Sequence, residues 1–338
     1  MQEDFDDGFV LIDPDGTLAE ALADRIPVEF TERTAYLDPG DLAHPFGLNV
    51  LDVVAPDDRH KVAKEFCAFF DTIFPAGPTT LTHERSNYLL LNCLCLIMAG
   101  PHPNLLCIPK LLADHAYRTA CLGHCTDPIV LEFWLHEFPA WKPEDALPLK
   151  AKIGELVTSP LVRNILAQPH STFSLGGGHI VIANLDRTRI GNQTAFLLGS
   201  LLLARSRGPV YVNNLGFFAT DQLASFFSQG RFTVSLQYLD ELPRKLRQEV
   251  LAFDDVRAER VNMEDAEVLS FKLGVMNPRT LMENDPIDAP QLPVSLDRLK
   301  AVRKRSRASH TRPRLAVEEQ IRQFLEGTKK PGRNRWEG

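Results

Sequence analysis

The sequence predicts an α/β protein: a mostly parallel sheet interrupted by an all-helical insert and followed by a basic carboxyl-terminal segment. Three observations carry this expectation. Apolar strand signals fall in two widely separated groups, and each group alternates strand with helix at spacings suited to parallel pairing. The long stretch between them carries helical periods, punctuated by Pro and Gly. The chain has 338 residues, 44% of them hydrophobic, enough to fill a sizeable core.

In the first group, residues 9–12 (FVLI) and 34–37 (TAYL) read as strands, with a short helix from Leu18 to Asp24 between them. Residues 48–53 are a further strand candidate. The helical stretch begins with Asp57 to Phe70, which places Val62, Phe66, Phe69 and Phe70 on one face behind a Pro56-Asp57 start signal. Ser86 to Met98, Ile108 to Ala113, Asp127 to Phe138 and Pro148 to Leu156 continue it. The second group comprises a strand from His179 to Leu185, a long apolar helix from about Asn192 to Arg205, and the strand Val210 to Val212. It goes on with a helix near Asp221 to Ser228, the strand Arg231 to Leu236 and a helix near Pro243 to Leu251. Leu315 to Phe324 reads as a short amphipathic helix. The expected divisions are therefore 1–55 and 173–291 for the sheet core, 56–172 for the helical insert and 292–338 for the basic tail.

Charge separates tail from body. The net charge is −7. From Asp297 to Gly338 there are thirteen Lys/Arg against five Asp/Glu, a balance of +8 that leaves −15 for the rest. Such asymmetry marks a region that either contacts phosphates or docks on the acidic body. The candidate nucleic-acid contacts are Arg303, Lys304, Arg305, Arg307, Arg312 and Arg314, joined by Lys152 and Arg163 from the helical stretch. The apolar runs are shorter than the ~20 residues of a membrane span, and the acidic amino terminus is unlike a signal peptide. A cytoplasmic protein is expected, one that could reach the inner face of the membrane only through partners. Six cysteines between residues 67 and 125 suit buried thiols better than a disulfide framework. His115, Cys121, His124 and Cys125 have zinc-ligand chemistry but not paired C-x₂-C spacing, so no metal is assigned.

Two strand ends attract attention as a site. The first strand runs into Asp13-Pro14-Asp15-Gly16, and Pro209 to Val212 ends in Asn213-Asn214. An apolar strand ending in two acids is the place where ATPases hold Mg²⁺ and polarise water. Here both positions are amides, and no G-x-x-x-x-G-K-[ST] loop occurs. An amide is a poor magnesium ligand and cannot act as a base. The simplest role for Asp13 and Asp15 is turn chemistry, a carboxylate capping backbone amides.

Several segments resemble the DNA-translocating ATPases of the FtsK/HerA superfamily, especially the conjugative coupling proteins of type IV secretion. Ile12-Asp13-Pro14-Asp15-Gly16-Thr17-Leu18 is similar to that family's second-strand motif, and Tyr36 to Asp41 with Pro45 to Leu51 to the strand and loop that follow. Phe133-Trp134, Glu137-Phe138, Lys152 to Gly154 and Ser159 to Leu166 resemble its helical region. His179 to Leu185 and Gly191 to Leu203 resemble the strand and helix before Walker B, and Glu264 to Glu267 a late helix start. Asn213-Asn214 then stands at the Walker B position, Gln229-Gly230-Arg231 at an arginine-bearing turn, and Gln237 at the sensor position. The Walker A strand and loop, expected upstream of residue 9, are missing.

The resemblance implies a RecA-like, P-loop NTPase-like fold and, for intact members, ATP and Mg²⁺ as cofactors and hexameric rings that move DNA. For this chain it implies a truncated or degenerate translocase, with no intact catalytic residue and no cofactor expected in the chain alone. Asp13, Asp15 and Gly16 are the remaining candidates to touch a nucleotide. DNA, related ATPase subunits in a homo- or hetero-oligomeric ring, and type IV secretion components are the implied partners. The alternative is a non-catalytic interaction or assembly module on the same fold.

Overall fold

The computed structural model describes residues 2–52, 54–74, 80–206, 208–221, 223–227, 231–258, 261–283 and 296–327. The chain forms two compact units, one of residues 1–38 and 174–307 and the other of 39–173 and 308–338.

The first unit is built on five parallel strands in the order β2-β3-β1-β4-β5. They are β1 (Phe9–Asp13), β2 (Thr34–Leu37), β3 (Ile180–Asn184), β4 (Pro209–Val212) and β5 (Arg231–Val234). In register, Leu11 lies beside Ile182 and Tyr211, and Tyr36 beside Ile182. β1, β2 and β3 are buried at every position, as expected of strands covered on both faces. Their continuous apolar sequences suit that setting better than an alternating pattern would. Burial then falls away through β4 to β5. Gly8 enters β1 at φ 75°, and a Cβ there would lie 2.5 Å from backbone atoms of Gly178 and His179, so only glycine lets the turns before β1 and β3 touch.

The helices of this unit are α1 (Gln2–Asp7), α2 (Thr17–Arg25), α10 (Arg187–Ile190), α11 (Asn192–Arg205), α12 (Ala224–Phe227), α13 (Arg244–Leu251), α14 (Met263–Leu273), α15 (Arg279–Glu283) and most of α16 (Leu296–His310). The apolar sequence of α11 is explained by burial of nearly all its central residues. α16 supplies Leu299 and Val302 to a core cluster with Phe9, Leu11, Tyr36, Ile180 and Ile182. Removing such side chains from water is worth about 1.5–3 kcal/mol each. The basic segment therefore contributes a helix to the sheet core, and its apolar residues fix its place.

The second unit is helical: α3 (Arg59–Ile73), α4 (Thr80–Ile97), α5 (Cys107–Ala113), α6 (His115–Leu122), α7 (Pro128–Glu132), α8 (Leu147–Thr158), α9 (Pro160–Leu166) and α17 (Arg314–Glu326). α7 runs into a π-helical stretch, Phe133–Glu137, where Trp134 donates its indole N–H to the Asn92 carbonyl at 3.2 Å. Phe66, Phe69 and Phe70 of α3 are buried, as the periodicity of that helix predicts. α17 lays Val317 and Ile321 against Leu106 and Ala167.

Residues 48–52 form an irregular segment instead of the strand that their apolar character suggests. Their backbone is engaged elsewhere. Leu48 N–H donates to the Ile165 carbonyl, and Leu51 N–H to the Asn49 side chain. The Asn49 amide donates to the Pro103 and Pro169 carbonyls. These bonds tie residues 48–51 to the helical unit, which starts at Pro39. Among the described residues no helix is long and apolar enough to cross a membrane.

Candidate functional site

The carboxyl ends of β1, β3, β4 and β5 lie on one side of the sheet because the strands are parallel; β1 and β3 end in Asp13 and Asn184, and β4 and β5 run directly into Asn213 and Ser235. Asp13 is fully buried. One carboxylate oxygen accepts from Ala19 N–H at 2.8 Å, in the first turn of α2. The other accepts from Asp15 N–H at 3.0 Å and from the Asn213 amide at 2.9 Å. Asp13 thus satisfies orphan donors at the start of α2, where a negative charge also complements the helix dipole.

Asn213 uses both ends of its amide. Its NH₂ donates to Asp13, and its carbonyl accepts from the Ser235 hydroxyl at 2.7 Å. The same hydroxyl oxygen accepts Asn214 N–H at 3.0 Å. Asn214 adopts a left-handed conformation (φ 53°, ψ 62°), one that asparagine tolerates better than most residues. Its side chain donates to Asp15 at 3.3 Å. Asp15 also pairs with Arg187 at 3.0 Å, and the Arg187 guanidinium lies over the Phe217 ring.

Gly16 closes the turn at φ 81°, where a Cβ would approach the Asn184 side-chain oxygen to 2.8 Å. Asn184 donates to the Tyr36 hydroxyl at 2.8 Å, and Arg303 of α16 donates to the same oxygen at 3.0 Å. Burial pushes the Tyr36 hydroxyl above its ordinary range, with the Asn184 and Arg303 hydrogen bonds opposing the shift. Arg303 also pairs with Glu20 at 2.6 Å.

Of the residues singled out from sequence, Asp13, Asp15, Gly16, Asn213 and Asn214 converge on this network. Gln237 lies exposed in the bend after β5, and among the described residues no hydrogen bond joins it to the network. Gln229 and Gly230 lie outside the described residues. Lys152 sits 5.7 Å from the Phe70 ring and 5.8 Å from that of Phe74, and Arg163 donates to the Val157 and Thr158 carbonyls. Arg305 pairs with Glu32, Arg312 donates to Gln320, and Arg314 pairs with Glu318. Lys304 and Arg307 are exposed on α16. Sequence reasoning missed Asn184, Ser235, Tyr36 and Arg187. The first two were signalled as polar residues at the carboxyl ends of apolar strands.

The described residues hold no group of three ligand-type side chains placed to bind a metal. Cys121 is buried, whereas Cys125 directs its thiol to the Asp127 carbonyl, so the His115, Cys121, His124 and Cys125 set does not converge. Desolvation pushes Cys67 up to about 12 and Cys95 up to about 11, which keeps both thiols protonated and unreactive near neutral pH.

No family model matches this sequence, and no curated protein matches it. Among solved structures, the plasmid coupling protein TrwB in complex with the non-hydrolysable ATP analogue ADPNP is similar at a TM-score of 0.50 and 13% identity. That match covers 82% of this chain and 73% of TrwB. The chain has the fold of a conjugative coupling protein. The unbound monoclinic form of TrwBdeltaN70 is similar at a TM-score of 0.45 and 14% identity, over 72% of this chain. This chain spans only 60% of the length of that structure. VirB4 of Thermoanaerobacter pseudethanolicus is similar at a TM-score of 0.43 and 13% identity, with 82% of this chain and 84% of that one covered. The α/β coupling-protein fold accounts for the parallel sheet and for strand ends gathered at one edge.

Proposed function

We propose that this chain is a degenerate coupling-type ATPase subunit of conjugative transfer or type IV secretion, unable to hydrolyse ATP by itself. One observation supports this most: the Asp13–Asn213–Ser235 chain of hydrogen bonds. In a working site of this class, an acid at the end of the β4-type strand organises Mg²⁺ while a lysine and backbone amides cradle the phosphates. Here Asn213 is neutral and spends its amide on Asp13, and both oxygens of Asp13 are already accepting. Arg187, the cation that reaches Asp15, is paired with it. This donor set does not fit a magnesium triphosphate.

The test is phosphate release by the purified chain with ATP and Mg²⁺, together with titration of a fluorescent ATP analogue. Background release is expected. Turnover at the ~1 s⁻¹ scale of working enzymes would overturn the proposal.

In this reading the chain joins related subunits and touches DNA through the exposed part of the α16 basic face. Deletion of α16 would not test that, since Leu299 and Val302 belong to the core. Lys304→Ala with Arg307→Ala should instead lower the salt dependence of DNA affinity by about one unit of slope per charge. Unchanged affinity and slope would remove DNA from the proposal. A purely structural module is the second reading, favoured by the engagement of Arg303, Arg305, Arg312 and Arg314 with partners inside the chain.

A further inference from the structure

Two histidines of the helical unit, far apart in sequence, stand side by side on separate Pro-His turns. The rings of His102 and His170 have centroids 5.4 Å apart and planes at 82°, and both residues are exposed. A buried side chain draws the turns together. Asn49, 4% exposed, divides its amide hydrogens between the Pro103 carbonyl at 2.7 Å and the Pro169 carbonyl at 2.8 Å, and these prolines adjoin the two histidines. Asn49 N–H also donates to the Ser171 hydroxyl at 3.0 Å. Asp52 then fixes the His170 ring: one carboxylate oxygen accepts from Nδ1 at 2.9 Å and the other from Ser171 N–H at 3.0 Å. With Nδ1 as the donor, Nε2 carries the lone pair. A carboxylate behind the far nitrogen is the usual support of a metal-binding histidine. On the other turn, His102 takes a left-handed backbone (φ 54°), sparsely populated outside glycine, and the Asn104 amide donates to its carbonyl at 3.3 Å. Pro101 and Pro103 on either side stiffen that turn.

We propose that His102 and His170 together bind a divalent first-row transition-metal ion of the Zn²⁺ type, with Asp52 as the positioning residue behind His170. Imidazole nitrogen selects such ions over Mg²⁺ and Ca²⁺, which take oxygen ligands. The ring spacing agrees. With a metal–nitrogen bond of about 2.0–2.1 Å and about 1.1 Å more to the ring centre, tetrahedral placement sets two centroids ~5.2 Å apart. Among the described residues no group of three ligand-type side chains is placed to bind a metal, so water supplies the remaining positions. Ring packing alone predicts the same contact but no affinity for metal. The pair shares no residue with the strand-end network or the basic face of α16, so it stands or falls independently of the proposed function.

Calorimetric titration of the full chain with Zn²⁺ tests it. The tightest phase should take up one ion per chain. His102→Ala removes an exposed side chain while leaving the Asn49 and Asp52 bonds in place, and it should abolish that phase with circular dichroism unchanged. Asp52→Asn should keep the stoichiometry and weaken affinity about 10–100-fold. A footprint of the parent chain needs no substitution: Zn²⁺ should protect His102 and His170 from diethylpyrocarbonate, while the exposed His60 and His136 stay reactive. No tight phase in the parent chain, a folded His102→Ala variant that binds as the parent does, or equal protection of all four histidines would each overturn the inference. Parent affinity in Asp52→Asn would overturn the role given to Asp52.

Discussion

The strand-end network and the basic face of α16 both gather the polar residues that, on sequence grounds, suggest ligand binding. They differ in what surrounds the charges. Asp13 is fully buried, and every bond it makes is to another part of the same unit. Arg303 and Arg305 pair with Glu20 and Glu32 at the rim, where both partners of each pair remain substantially exposed. Removing one member of a buried charged network costs several kcal/mol, whereas exposed pairs are worth about 0–1. The comparison teaches that the strand ends are structural to a degree that the basic face is not.

The sharpest way to break this contrast is Asp13→Ala. It strands the Asn213 amide and the Ala19 N–H in a buried site, and a loss of about 3 kcal/mol is expected in denaturant unfolding. A loss under about 1 kcal/mol would remove the distinction between the regions. Asn213→Asp comes next, because it places a carboxylate where the amide now donates to Asp13 at 2.9 Å. A deficit of about 2 kcal/mol is expected at neutral pH. Like charge raises the folded-state pKa of the introduced carboxyl, so the deficit is full above that value. It should shrink as pH falls toward about 4, where the unfolded chain also protonates. A deficit independent of pH would mean that shape, and not charge, is what position 213 requires.

Ser306→Ala probes the junction between the two regions, since this hydroxyl closes the β2 edge from α16. Leaving Tyr36 N–H unsatisfied should cost about 1–2 kcal/mol, read as a shift in unfolding midpoint at constant slope. Arg305→Ala should change stability by less than about 0.5 kcal/mol, because solvent screens an exposed pair with Glu32. An effect as large as that of Ser306→Ala would show that rim charges hold the helix as firmly as its buried contacts do.

Much of the architecture was legible in the sequence. The strands at residues 9–12, 34–37 and 210–212 are too apolar for exposed segments, and the Phe-rich face of α3 follows helical spacing. The turn role for Asp13 was also readable, since Asp-Pro-Asp-Gly after a strand favours a side-chain cap on the next helix. Residues 48–52 were misleading because apolar content alone does not distinguish a strand from a buried loop whose backbone bonds go to an asparagine and a helix end. Ser235 and Asn184 went unremarked for a related reason: a single polar residue after an apolar run gains meaning only from its neighbours.

What the sequence determined by itself is local: the strand and helix periods, the glycine needed at Gly16, the amides at 213 and 214, and the uneven spread of charge. These follow from φ/ψ limits and side-chain spacing, which act over a few residues. Only the tertiary structure decided the order of the strands, and hence that Asp13 meets an amide 200 residues away. It alone placed Ser306 on Tyr36, 270 residues apart. The physical reason is that such contacts are chosen by how the buried faces of the whole chain fit together, and no short-range pattern records that choice.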